Sequence, residues 1–277
     1  MSEFDAWIGR SQSQIDVLEP GRSNALSVAL GEDRVLKAGD PLPLLHHWLY
    51  FWDVKPPRAL GNDGHPAKGD FLPPVPLPRR MWAGGRLTFH KPLLLGASVT
   101  KTSTILTVTE KTGRTGTLIF VTVQHEFDAG DGVAITEEQD LVYREPATTR
   151  LPLPVPAPAP ESAWAEQIDP DPVLLFRYSA LTMNGHRIHY DRPYAIEEEA
   201  YPALVVHGPL QATLLIRLAE RNLVEPITQF SFRGQQPAFD GVALSVCGSP
   251  GQNGAEVWTQ QGEAKNMVAT VQTSSTS

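Results

Sequence analysis

At 277 residues, 41% of them hydrophobic and 19% charged, the chain exceeds a typical domain of about 100–150 residues, yet holds no run near the roughly 20 apolar residues of a membrane span. A soluble globular protein of two similar modules is expected, with no membrane partner. The formal net charge of −8 argues against nucleic acid as a partner, and the single cysteine, Cys247, excludes an intrachain disulfide and a thiolate metal cluster, so it reads as a small core residue.

The opening segment MSEFDAWIGRSQSQID has no basic stretch followed by an apolar one, so it does not read as a secretory signal and a cytoplasmic location is expected. The apolar run PLLHHWLYFW predicts a helix around Pro43 to Trp52. A Pro- and Gly-rich stretch from Lys55 to Pro78 follows, long for a structureless loop and so expected to cover a ligand. From Arg86 to Tyr143 the runs LTFH, SVTKTSTILTVTE, TGTLIFVTVQHEF and VAITEEQDLVY predict an antiparallel sheet. The intervening KTGR (111–114) and AGDG (129–132) carry the glycines that hairpin loops need for positive φ. Alternating prolines in PATTRLPLPVPAPAP, residues 146–160, predict an extended linker between an N-terminal module, 1–145, and a C-terminal module, 161–277.

In the second module, Pro172 to Tyr178 reads as a short strand, and Leu210 to Leu223 as a helix with Pro209 in its first turn and Asn222 near its stop. The runs ITQFSFR, VALSVCG, AEVWTQQ and NMVATVQ then predict further strands. The fold class is α+β, its halves degenerate copies of one another.

The stretch from Tyr178 to Leu210 carries the chemistry. Asn184 and His189 lie five apart in a polar, irregular segment, and His207-Gly208-Pro209 opens the apolar helix. A helix start offers unpaired N–H groups and partial positive charge, which suit a developing oxyanion, and a glycine there removes a Cβ that would block close approach. If the loop folds over that helix start, a base, an amide and an oxyanion donor converge on an enolate. The plainer alternative is a turn at Asn184-Gly185 with surface histidines at 186 and 189.

Asn184-Gly185-His186-Arg187-Ile188-His189 followed by Val205-Val206-His207-Gly208 resembles the hydratase motif of the MaoC-like, R-specific enoyl-CoA hydratases of the hot-dog superfamily, Asp-x-Asn-Pro-x-His and later His-Gly. Asn184, His186 and Arg187 depart from it, standing where those enzymes carry aspartate, asparagine and proline. With FRYSALT before it and Arg79 to Gly85 (RRMWAGG), the segment is similar to one branch: the mitochondrial hydroxyacyl-thioester dehydratases type 2 and the mesaconyl-CoA (3-methylfumaryl-CoA) and itaconyl-CoA hydratases. The resemblance implies a double hot-dog, each module a long helix wrapped by an antiparallel sheet, with a homodimer of such subunits as the candidate assembly. It implies a hydro-lyase adding water reversibly to an α,β-unsaturated acyl-CoA, with no cofactor and no metal. Carried over, His189 and Asn184 hold the water and the Gly208 N–H polarises the thioester carbonyl. An amide cannot take a proton, so His189 is the sole titrating base of that pair. His186 and His207 are expected to be structural. A dicarboxylic acyl group would need a cation, for which Arg80, Arg177, Arg187 and Arg192 are candidates, while Trp82 could wall the acyl pocket. Competing readings are a 3-hydroxyacyl dehydratase on carrier protein or CoA, a hot-dog thioesterase, a metal hydrolase using His186, His189, Asp191 and His207, and a noncatalytic acyl-thioester binder.

Overall fold

The computed structural model describes residues 4–113, 116–146, 149–158 and 160–274. Inward-facing apolar residues recur at every second position along the strands, as in Ile119, Val121, Val123 and Phe127, and this alternation gives each strand one face for a core. Strands β1 (Ser11–Val17), β2 (Arg79–Phe89), β3 (Ser98–Gly113), β4 (Gly116–Asp128) and β5 (Val133–Arg144) belong to the first half. Strands β6 (Trp164–Ile168), β7 (Ile227–Gly234), β8 (Leu244–Gly251), β9 (Gly254–Gln261) and β10 (Ala264–Thr273) belong to the second. All join one 10-stranded sheet in the order β1-β3-β4-β5-β2-β7-β10-β9-β8-β6. The halves meet at its centre, where β2 pairs antiparallel with β7 from Gly84↔Arg233 to Thr88↔Gln229.

Helix α4 (Gly208–Asn222) lies on the second half of the sheet, touching β6 to β10, and every residue from Leu210 to Ala219 is buried. The helix and the four strands expected after it are present, with bounds shifted by a few residues. In the first half, the hairpin at 129–132 forms as expected: Gly130 and Gly132 both take φ of 102°, and the Asp128 carboxylate accepts from both of their N–H groups. Residue 114 of the other expected turn, and residues 147, 148 and 159 of the expected linker, lie outside the described residues. Residues 150–158 form neither helix nor strand.

Two expected elements are corrected. Residues 43–52 are not a helix but an irregular segment with one 3-10 turn, His46–Leu49, broken by positive φ at Leu45 and Phe51. Leu45, Leu49, Tyr50 and Phe51 are all buried, and the broken path points each of them into the core. Residues 172–182 are not a strand but helix α2 (Pro172–Thr182), started by Asp171, whose side chain accepts from the Leu174 N–H. The sequence reading also leaves out helix α1 (Pro20–Ala29), capped by Glu19, helix α3 (Arg192–Glu197) and strands β1 and β6. Strand β1, SQSQIDV, is an exposed edge with little apolar alternation to betray it.

Candidate active site

Helix α2 ends on Met183 in the left-handed conformation, φ 51°, which turns the chain sharply into Asn184. The Asn184 Oδ1 accepts from the His186 N–H at 3.0 Å, an Asx turn that leaves its NH2 group without a hydrogen bond among the described residues. A 3-10 turn, Arg187–His189, then delivers the His189 ring to the extended segment at Val205, which bridges to Phe239. There the Val205 N–H donates to the Ile188 carbonyl at 3.0 Å and the His189 Nδ1–H to the Val205 carbonyl at 2.7 Å. This bond fixes the tautomer and leaves Nε2 as an acceptor. The two blocks of the motif are thus stitched together directly.

His207 is the N-cap residue of α4 and lies fully buried, its Nε2 2.8 Å from the Ser179 Oγ and its Nδ1 without a hydrogen bond among the described residues. Its ring stacks on His189, centroids 3.7 Å apart and planes 19° apart. Burial pushes His189 down to about 4 and His207 well below its ordinary range, so both rest neutral. Gly208 begins the helix next to them. A Cβ at this position would touch nothing closer than the Met267 Cε at 3.7 Å, so no packing within the chain demands a glycine. The first turn of α4 therefore has room in front of it.

A cavity of about 440 Å³ lies alongside. Asn184, Gly185, Pro209, Tyr178 and Trp82 form part of its wall, whereas His189 and Gly208 do not line it, Gly208 being the chain neighbour of Pro209. Trp82 is held by its Nε1–H to the Gly84 carbonyl at 2.8 Å and by an edge-to-face contact with Trp48 at 5.0 Å. Arg80 does not line the cavity, but its charge helps to lower His65 and His186. Arg187 is engaged elsewhere: its Nε and Nη2 donate to Asp191, its Nη1 donates to the Asn62 carbonyl, and its guanidinium covers Tyr194. Arg192 pairs with Asp240, and Arg177 is exposed on α2.

The loop within 55–78 reaches the site, and two residues it brings there are absent from the sequence reading. Gly64, φ +86°, packs main chain to main chain on Gly185: a Cβ on Gly64 would fall 1.9 Å from the Gly185 carbonyl oxygen, and one on Gly185 2.6 Å from that of Gly64. The Arg187 N–H donates to the Asp63 carbonyl at 2.9 Å. Docked in this way, the loop sets His65 in the cavity wall, its Nδ1 2.9 Å from the Asp63 carboxylate and its ring 4.2 Å from that of His186. The ligand atoms of Asp63, His65 and His186 come within 4.8 Å of one another. That set differs from the metal-hydrolase grouping expected above, whose Asp191 is bound by Arg187 and caps α3.

The far wall belongs to the first half. His47, Trp48 and Gln139 all hydrogen-bond the carboxylate of Glu137, which is 0% exposed. Burial alone would raise Glu137, but these contacts hold it down to about 2. His125 and Lys101 complete this wall. The paired histidines in HHW and a glutamate at an inward strand position were the available sequence signals.

Two halves joined in one antiparallel sheet, with a long helix packed on the second, form a double hot-dog, and the matches that follow place the chain among the lyases of the hydratase and dehydratase class. Residues 45–240 match the family model for hydroxyacyl-thioester dehydratase type 2. The chain belongs to that family. It is 45% identical to the mesaconyl-C(4)-CoA hydratase of Chloroflexus aurantiacus, over 90% of either chain. It is 28% identical to the mitochondrial hydroxyacyl-thioester dehydratase type 2 of Schizosaccharomyces pombe, over 86% of this chain and 87% of that one. Among solved structures it superposes on HtdX of Mycobacterium tuberculosis with a TM-score of 0.68 and 17% identity, covering 96% of this chain and 100% of the other. A second protein of that organism, described as a double hot-dog, gives a TM-score of 0.60 at 12% identity, with 96% of each chain covered.

Proposed function

We propose that the chain adds water reversibly across the C=C bond of an α,β-unsaturated acyl-CoA thioester, with a dicarboxylic enoyl-CoA of the mesaconyl (3-methylfumaryl) or itaconyl kind as substrate. Lys101 is the observation that carries the dicarboxylic part. It lines the cavity that Asn184 also lines, yet its Nζ makes no hydrogen bond or ion pair among the described residues and lies 5.6 Å from the Phe51 ring centroid. The other charged groups of the wall are matched: Lys55 with Asp53 and Asp70, Glu137 with His47. Burial pushes the Lys101 ammonium down, so an arriving carboxylate would meet a cation that is partly desolvated and unpaired. The 45% identity to a mesaconyl-C(4)-CoA hydratase supports the same reading.

In this mechanism the Asn184 NH2 group orients a water, and its oxygen adds to the β-carbon as one proton leaves for the His189 Nε2. The π electrons move to the thioester oxygen, where the Gly208 N–H meets the developing charge, and the enolate is then protonated at the α-carbon. No acyl-enzyme forms and CoA stays attached.

The test is a panel of enoyl-CoA thioesters with and without a distal carboxylate, followed by loss of the conjugated enoyl absorbance, on the wild type and on Lys101→Met. Wild type should favour the carboxylate-bearing members by about 100-fold in kcat/KM, and the variant should lose that preference while keeping its rate on the others. Equal rates across the panel would remove the dicarboxylic reading in favour of a general dehydratase, and release of free CoA thiol would point to a thioesterase.

A further inference from the structure

Hydration moves two protons, one from water and one to the α-carbon, and the aspartate that partners histidine in the resembling motif is here the amide of Asn184. A carboxylate nevertheless reaches the site from the other half of the chain. Given the hydration reaction proposed above, we propose that Asp63 and His65 form its second proton-transfer pair, with His65 the catalytic residue that serves the α-carbon and Asp63 the positioning residue behind it.

The geometry supports this in three ways. His65 stands in the cavity wall together with Asn184, so its ring faces the space that a substrate would fill. The Asp63 Oδ2 takes the His65 Nδ1–H at 2.9 Å while its Oδ1 takes the His65 backbone N–H at 3.0 Å, which fixes both the ring and its tautomer and leaves Nε2 as the acceptor. The third support is the loop itself. The Gly64–Gly185 contact and the two donations from Arg187, to the carbonyls of Asn62 and Asp63, serve to hold this pair against the motif.

His186 bridges the two proton-bearing ends, its ring 4.2 Å from His65 and 5.5 Å from His189. In hydration, the water O–H bond breaks and its proton goes to the His189 Nε2 as the new C–O bond forms. The His189 imidazolium gives that proton up to solvent, and the His65 Nε2 takes a proton from solvent, where the Asp63 carboxylate balances the charge. His65 then gives it to the α-carbon, and all imidazoles return to neutral. In dehydration the same groups run backwards, His65 removing the α-proton and His189 protonating the departing hydroxyl.

The groups that face His65 are Asp63 on its own loop, Arg80 on β2 and His186 on the motif loop, with Lys68 near Asp63 and Arg80. Burial and Arg80 lower His65, while Asp63 raises it. Burial holds His186 down to about 2, with His65 and His189 adding to the effect, and His189 lies at about 4. The Asp63 carboxylate thus favours the protonated form of His65 that the α-carbon step requires.

Asp63→Asn keeps the size of the side chain and removes its charge. We expect kcat to fall about 100-fold with KM within about threefold of wild type. The limb of the rate profile that His65 sets should also move to lower pH, because the anion that raises His65 has gone. His65→Gln should lose a similar factor in kcat and retain substrate binding and the melting temperature. A purely structural pair would lower kcat without moving the limb, and that result, or unchanged kcat in both variants, would overturn the proposal. Activity abolished by chelator and restored by a divalent metal would also overturn it, by making Asp63, His65 and His186 a ligand set. If the wild type hydrates no enoyl thioester, the proposed reaction itself has failed; if it does and the variants match it, only the role of this pair has.

Discussion

Replacing Gly208 by alanine separates catalysis from folding at one atom. A Cβ there would meet the Met267 Cε at 3.7 Å and the Trp82 carbonyl oxygen at 4.0 Å, both ordinary contacts, and the backbone of Gly208 is not in the left-handed region. Alanine also favours helix over glycine by up to about 1 kcal/mol, so stability should hold or rise, by no more than about 2–4 °C in melting temperature. The effect on rate should be opposite. If the 208 N–H polarises the thioester carbonyl, a methyl group projecting into the approach displaces that oxygen, and losing one such donor costs about 2.7–4 kcal/mol, or roughly 100- to 1,000-fold in kcat. The assay is enoyl absorbance decay paired with a thermal melt on the same preparation. Full activity with an unchanged melt would refute the assignment of the helix start to the carbonyl. A drop of more than about 5 °C would refute the claim that the chain itself leaves this space open.

Gly64→Ala should do the reverse and fail in both assays, because its Cβ falls 1.9 Å from the Gly185 carbonyl oxygen and the residue holds φ +86°; the expected outcome is an undocked loop, a lower melting temperature and at least about 100-fold less activity, measured by the same pair of assays. Glu137→Leu strips the acceptor from buried His47 and from the partly buried Trp48 and Gln139, and at about 1–3 kcal/mol for each orphaned donor a loss of about 3 kcal/mol is expected in urea unfolding. Stability should also fall as pH drops from about 6.5 towards 4. His46, His125 and His189 titrate at about 3, 4 and 4 in the folded chain, so over that window the unfolded state binds more protons. A melting temperature that is flat between pH 7 and 4 would contradict their burial as neutral rings.

The sheet was legible because β-rich runs and glycine turns are local signals that β3 to β5 and β7 to β10 carry, although the imperfect alternation around Thr100 to Thr104 left the buried face of β3 open. The PLLHHWLYFW run misleads for the opposite reason: a mostly apolar segment has no clear periodicity to distinguish a helix from a chain bent at Leu45 and Phe51 that buries Leu45, Leu49, Tyr50 and Phe51. At Pro172 the Asp171-Pro172 start signal was present, but the apolar VLLF that follows suits either element. Within the candidate site, Asn184, His189 and Gly208 could be nominated because they form one motif in one stretch of chain. Asp63 and His65 could not, since their meaning depends on a contact with residues more than a hundred positions away. Arg187 illustrates the same limit, a plausible anion contact by residue type that the fold commits to Asp191 and Asn62.

The abutment of Gly64 on Gly185 makes two residues without a functional group part of the latch between halves that also meet through the β2–β7 pairing and the Arg187 donations. At both places a methyl group is already too large, so selection there acts on absence rather than on chemistry. A saturation screen for activity should mark these two positions as intolerant as any acid or base in the enzyme. It follows that the tandem chain cannot be divided at its proline-rich segment into a working half and a dispensable one: the C-terminal piece would keep Asn184 and His189 and lose the ground on which their loop rests.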